Sequence, residues 1–194
     1  MTGFGRTGKM FAADYLKVKP DIICLSKGLT GGYLPLGVTA YSKKIADTFK
    51  SADIAKTFYH GHSFTGNPIS CTAALASLEL FDIENTFEKI TLIHNRHLDF
   101  ADVLDTYDIV ENVRVMGTIL AFDIKTGYEE YFYTNPVKEI LYEYYLEQGV
   151  LLRPLGNVIY IIPPYCITNE SLNKVYDTVL KSLTFISSKL SGNG

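Results

Sequence analysis

Lys27 follows a short apolar run, Ile22, Ile23, Cys24 and Leu25, and opens a turn rich in glycine, Gly28-Leu29-Thr30-Gly31-Gly32-Tyr33-Leu34-Pro35-Leu36-Gly37. A lysine amine acts as a nucleophile when burial or nearby cations lower its pKa, and Gly28, Gly31 and Gly32 let backbone and ligand approach it closely. The chemistry suggested is carbonyl condensation at the ε-amine. The plain alternative is a solvated lysine at the end of a strand, the commoner fate of that side chain. Two other patterns invite chemistry and fail on context. Gly3, Gly5 and Gly8 fit the dinucleotide pattern G-x-G-x-x-G, and Gly3 to Lys9 fits most of a phosphate-binding loop. No strand precedes them, Met10 stands where a magnesium-binding Ser or Thr is needed, and residues 10–15 do not launch a long helix. The pairs His60-x-His62 and His94-x-x-His97 lack acidic or cysteine neighbours at ligand spacing, so they read as core or surface histidines.

The elements that must position Lys27 are legible as periodicity and punctuation. Ile22 to Leu25 reads as a short parallel strand buried on both faces, whose carboxyl end is where α/β sheets collect ligands. Ser42 to Phe49 reads as a short helix. Asn67 before Pro68 is a helix cap with proline at the first helical position, leading into the run Ala73 to Leu80. Phe87, Ile90, His94, His97 and Ala101 recur at helical spacing within a second helix, Glu84 to about Leu104. From Tyr107 the pattern alternates. Val113 to Ile124 reads as one strand broken near Gly117, and Pro136 to Gln148 as a helix ended by Gly149. Val150 to Arg153 and Val158 to Ile162 read as two strands around Gly156-Asn157, and Glu170 to Leu190 as a final helix. The expected division is residues 1–104 and a small α/β domain, residues 105–194, with no low-complexity stretch beyond the terminal Ser191-Gly-Asn-Gly.

Composition bounds the class. Of 194 residues, 47 % are apolar and 13 % aromatic, enough for a core, and 18 basic against 21 acidic residues leave no basic block for nucleic acid or a membrane surface. A small-molecule ligand follows. Cys24, Cys71 and Cys166 are odd in number and unpaired in pattern, which argues against a disulfide framework or zinc cage and for a cytosolic compartment. No leader and no membrane-length apolar run is visible.

Four segments, in order and spacing, resemble the class III pyridoxal-phosphate aminotransferases: Gly3-Phe4-Gly5-Arg6-Thr7-Gly8-Lys9-Met10-Phe11, Pro20 to Gly32, Phe58-Tyr59-His60-Gly61-His62-Ser63-Phe64-Thr65-Gly66-Asn67-Pro68, and Leu152-Arg153-Pro154. Within that class, Ser26 to Leu36, the His-Gly-His-Ser block and Val158 to Tyr165 are most similar to the members that convert 8-amino-7-oxononanoate to 7,8-diaminononanoate for biotin. S-adenosylmethionine is the usual amino donor there and lysine a variant one. The resemblance runs from about Thr2 to about Ser187 and implies a fold-type-I α/β architecture, pyridoxal 5'-phosphate as cofactor and a homodimer. It implies that Lys27 carries the cofactor as a Schiff base and moves the substrate proton, and that Ser63, with His62, binds the cofactor phosphate across the dimer interface. It further implies that Arg153 binds the keto-acid carboxylate, with Gly61 and Tyr160 also at the substrate. Beside these stand the plain readings: a turn for Ser63, an ion pair for Arg153. Complete members are about twice this length, so the chain reads as their C-terminal part. By the same resemblance it lacks the aspartate facing the pyridine nitrogen, the stacking aromatic and the Gly-Ser phosphate loop. Poor activity and poor solubility alone are then expected, and the rival readings are a noncatalytic remnant or a nucleotide-binding module.

Overall fold

The computed structural model describes residues 2–126 and 134–191, with the Ser191 side chain and residues 192–194 of the tail outside that range. The chain divides into two compact units, one ending at Phe87 and the next beginning at Glu88. In the first, β1 (Ile22–Leu25) pairs with β2 (Val38–Tyr41), with Ile22 opposite Tyr41 and Leu25 opposite Val38. That pairing is antiparallel, which corrects the expected parallel strand. The expected burial on both faces also fails: Ile22 is 53 % exposed, Val38 40 % and Tyr41 57 %. The physical reason is that the described sheet has two strands and buries little: all of β2 is exposed, and Leu25 of β1 is half-buried against Phe4, Leu29 and Ala74.

Helix α1 (Lys43–Phe49) starts at Ser42, whose hydroxyl donates to Asp21 at 3.0 Å and ties the helix entry to the start of β1. Helix α2 (Pro68–Ile83) begins as its sequence dictates, for Asn67 Oδ1 accepts from the amides of Ile69 and Ser70 and Pro68 occupies the first turn. The small core of this unit is Phe4, Leu29 and Ala74, packed with Met10, Phe11, Leu25, Leu36 and Phe81.

Helix α3 (Thr86–Leu104) lies almost wholly in the second unit. It is followed by β3 (Val110–Met116), β4 (Ile119–Ile124), α4 (Val137–Glu147), β5 (Val158–Ile161) and α5 (Asn169–Ser191), with the three strands antiparallel in the order β3, β4, β5. The single strand expected over Val113 to Ile124 is therefore a hairpin: Gly117, at φ +58°, reverses the chain between Met116 and Ile119. The strand expected over Val150 to Arg153 is not one either. Pro154 has no amide to give a ladder, and Leu155 turns back to bridge Val158. Gly149, at φ +68°, ends α4 with its amide on Leu146 and that of Val150 on Tyr145. The core joins Leu120, Phe122 and Ile124 of β4, Ile159 and Ile161 of β5, Leu141 and Tyr145 of α4, and Leu172, Val179, Leu183 and Ile186 of α5. Ser182 donates to the Val179 carbonyl at 2.7 Å, so its oxygen accepts from buried Tyr145 at 2.9 Å, joining α4 to α5.

His97 is the one fully buried histidine among the described residues. A carbonyl only accepts, so Nε2–H donates to Thr118 O at 3.2 Å and Nδ1 accepts from the Tyr176 hydroxyl at 2.7 Å. Neutral imidazole thus ties α3 to the hairpin turn and to α5. Burial pushes its pKa down to about 4, the Thr118 bond opposes this, and His94 and Arg96 add to the lowering. The unfolded chain, near 6.5, binds the proton more readily, so this contribution is complete above pH 6.5 and is lost as pH falls toward 4. Between pH 7 and 5 the full chain should lose about 2 kcal/mol from this group. Urea midpoints at the two values test it: His97→Gln should flatten the response, and an unchanged slope would place the acid sensitivity elsewhere.

Candidate functional site

In the first unit the candidate residues sit on two loops. Lys27 begins a 3-10 turn, Lys27–Thr30, directly after β1. Its φ is +54°, the left-handed region that L residues with a Cβ avoid. The turn is anchored at its C-terminal end. Leu29 and Thr30 are buried, Leu29 N donates to Ser26 O at 3.2 Å, and Thr30 Oγ1 donates to Leu34 O at 2.6 Å. Gly31 and Gly32, both left-handed, carry the chain out to Tyr33, which is 89 % exposed. Lys27 is exposed, and its amine makes no hydrogen bond or ion pair among the described residues.

The reason for glycine at position 28 is space. A Cβ there would lie 2.9 Å from Cδ2 of Phe4, whose ring packs on the Gly28 backbone. Sequence reasoning missed this contact and the Thr30 bond. A glycine beside the candidate lysine was the only signal, and it does not say which side chain approaches.

The second loop holds Gly61, His62 and Ser63. His62 Nδ1 accepts from Phe64 N at 3.2 Å and His62 O from Thr65 N at 2.9 Å, so the histidine shapes the turn that presents Ser63. The Ser63 hydroxyl has no partner among the described residues. The first amides of α2 are taken by Asn67, which leaves the hydroxyl rather than the helix end as the available anion donor here. Among the described residues nothing lies within 4 Å of the Cβ position of Gly61. No hydrogen bond or ring contact joins this loop to Lys27 among the described residues.

In the second unit Arg153 is exposed between buried Leu152 and Pro154, and it makes no ion pair or hydrogen bond among the described residues. Tyr160 lies in β5 opposite Ala121, half-buried, on the face away from buried Ile159 and Ile161.

The discarded motifs have structural occupations. After Gly8 the chain makes only the 3-10 turn Ala12–Tyr15, and Lys9 Nζ donates to Asp14 O at 3.1 Å, 4.2 Å from the centre of the Tyr15 ring. His94 Nδ1 lies 3.1 Å from Gly117 O, and the His60 ring stacks on Phe58. Cys24, Cys71 and Cys166 are free thiols, and no described helix is long and apolar enough to cross a membrane.

Residues 1–183 match the family Aminotransferase class-III. The adenosylmethionine-8-amino-7-oxononanoate aminotransferase of Synechococcus elongatus is 44 % identical over 180 residues, covering 92 % of this chain and 41 % of that protein. The crystal structure of the enzyme so named from Methanocaldococcus jannaschii superposes with a TM-score of 0.83 at 38 % identity, covering 94 % of this chain and 43 % of that one. A pyridoxal-phosphate-bound amine transaminase from an uncultivated Pseudomonas species superposes with a TM-score of 0.81 at 29 % identity, covering 94 % and 42 %. The chain thus spans well under half the length of the relatives it matches.

Proposed function

Because the chain belongs to the class-III aminotransferases and carries part of their fold-type-I architecture, we propose that it is the lysine-bearing part of an enzyme that transfers an amino group from S-adenosylmethionine to 8-amino-7-oxononanoate, giving 7,8-diaminononanoate for biotin. The observation that carries this reading is Lys27: an unengaged primary amine at a strand end, held in a left-handed turn within the family match. The name of the Synechococcus relative, an adenosylmethionine-8-amino-7-oxononanoate aminotransferase, supports the substrate and donor.

The residues present suit pyridoxal phosphate in their donor chemistry, with the Lys27 amine for a cofactor's aldehyde and a hydroxyl without a partner among the described residues, Ser63, for the phosphate of the partner's cofactor. Bound there, the cofactor supplies an electron sink for the charge that develops when a substrate carbon loses a proton. Lys27 would hold the cofactor through its ε-amine and, once released, would carry the proton at Nζ between that substrate carbon and the cofactor. His62 fixes the turn that aims Ser63. Arg153 holds the oxononanoate carboxylate through two parallel hydrogen bonds, with Gly61 and Tyr160 beside the substrate. We assign this activity to the assembled cytosolic protein, a homodimer in which Ser63 serves the partner's cofactor. Residues 1–104 belong to its cofactor-holding domain and residues 105–194 to its small domain. Helix α3 connects the two, although it packs with the small one.

Borohydride reduction of the assembled protein with pyridoxal phosphate should leave the label on the peptide containing Lys27. Label on Lys9 or Lys43 would refute the assignment, and a colourless, unlabelled protein would favour a noncatalytic remnant.

A further inference from the structure

We propose that Phe4 is a positioning residue for Lys27: its ring, wedged on the backbone of Gly28, holds the lysine in its left-handed conformation. The functional weight of this rests on Lys27 being the cofactor lysine. A non-glycine residue stays at positive φ only where its surroundings over-determine it, and such positions gather where a side chain must be aimed. Around Lys27 the constraints come from three directions. Leu25 pairs with Val38 on one side of the turn, and buried Leu29 and Thr30 pin the other. That leaves residues 26–28, where Phe4 closes the third side, its Cδ2 2.9 Å, Cγ 3.4 Å and Cβ 3.5 Å from the Cβ position of Gly28. A Cβ at position 28 would force the ring to shift.

Phe4 is itself fixed. It is 9 % exposed, meets the edge of the Phe11 ring at 5.6 Å and 73°, and has a φ of +55°. Two left-handed non-glycine residues are therefore coupled through one ring and one glycine, which places the bond from Cα to Cβ of Lys27 in a fixed direction. A lysine has four flexible torsions beyond that bond, so fixing the first vector narrows the volume its amine explores and lowers the ordering cost of reaching one carbonyl carbon.

The test is a coupling between the two residues read on thermal unfolding of the full chain, which needs neither cofactor nor turnover. Phe4→Leu keeps apolar bulk where Phe4→Ala risks the fold. In the otherwise native chain, Lys27→Gly should melt roughly 2–4 °C above Lys27→Ala, because glycine alone is unstrained at this φ. In the Phe4→Leu background that gap should fall to less than half, since the turn is free to relax. Borohydride labelling of the Lys27 peptide should slow several-fold in Phe4→Leu, while labelling of a solvent-exposed lysine by a simple aldehyde is unchanged. An undiminished gap overturns the inference even if Lys27 carries the label. A collapsed gap with the label on another lysine shows the packing coupling to be real and the reading of Lys27 to be wrong, which overturns the functional claim.

Discussion

Lys27→Ala in the assembled protein is expected to cut turnover by roughly 10²–10⁴-fold through the loss of proton transfer alone, and to abolish borohydride labelling. The structure says why the loss should be chemical rather than a failure to fold. The side chain is exposed and unpartnered among the described residues, so its removal strands no buried group, and alanine keeps the Cβ that the turn already carries. Circular dichroism and the unfolding midpoint should therefore stay close to those of the unaltered protein. A small primary amine added to the Lys27→Ala protein should restore part of the rate, because proton transfer needs an amine near the substrate carbon and not the lysine backbone. Turnover that survives the substitution would remove Lys27 from the mechanism, and a protein that unfolds on substitution would make the lysine structural. Arrival at a decision needs only rates, spectra and melting of the same sample.

What was legible in the sequence divides by the range of the interactions involved. Asn67 before Pro68 announced the start of α2, and Gly149 the end of α4, because caps and left-handed glycines are settled by a few neighbouring residues. The apolar stripe of Leu172, Val179, Leu183 and Ile186 gave α5 because helical periodicity survives any tertiary context. The strands were read less well. Four apolar residues at Ile22 to Leu25 fit a strand whatever its neighbours, so direction and burial depended on β2 and on layers that the local pattern does not encode. Gly117 was seen as an interruption, yet only the pairing of Met116 with Ile119 makes it a hairpin turn. At the site the chemistry-bearing residues could be named, since amine, hydroxyl and guanidinium are properties of residue types. Their settings could not. The ring of Phe4 on Gly28 links positions more than twenty residues apart through space, and the left-handed backbone of Lys27 is not set by its residue type.

Arg153→Ala should weaken the oxononanoate substrate by about 2 to 5 kcal/mol, the usual loss when a bidentate charged pair is broken, which is about 30-fold to a few thousand-fold in KM or kcat/KM. Arg153 is exposed and without an ion pair among the described residues, so its removal strands no partner there. Its backbone is better held than its side chain. Leu152 and Pro154 are buried on either side, and Leu155 bridges Val158, so the segment presents the guanidinium from a fixed base. Removal of an exposed, unpaired side chain should change stability by no more than about 0.5 kcal/mol, and labelling of Lys27 should be untouched. Arg153→Lys should recover only part of the loss, because an ammonium gives a point charge and not two parallel donors. The KM for the amino donor provides the internal control if the donor's own contacts lie elsewhere. Unchanged kinetics for oxononanoate, with normal labelling and melting, would make Arg153 an ordinary solvated arginine and would move the search for the carboxylate partner away from the Leu152-Arg153-Pro154 segment.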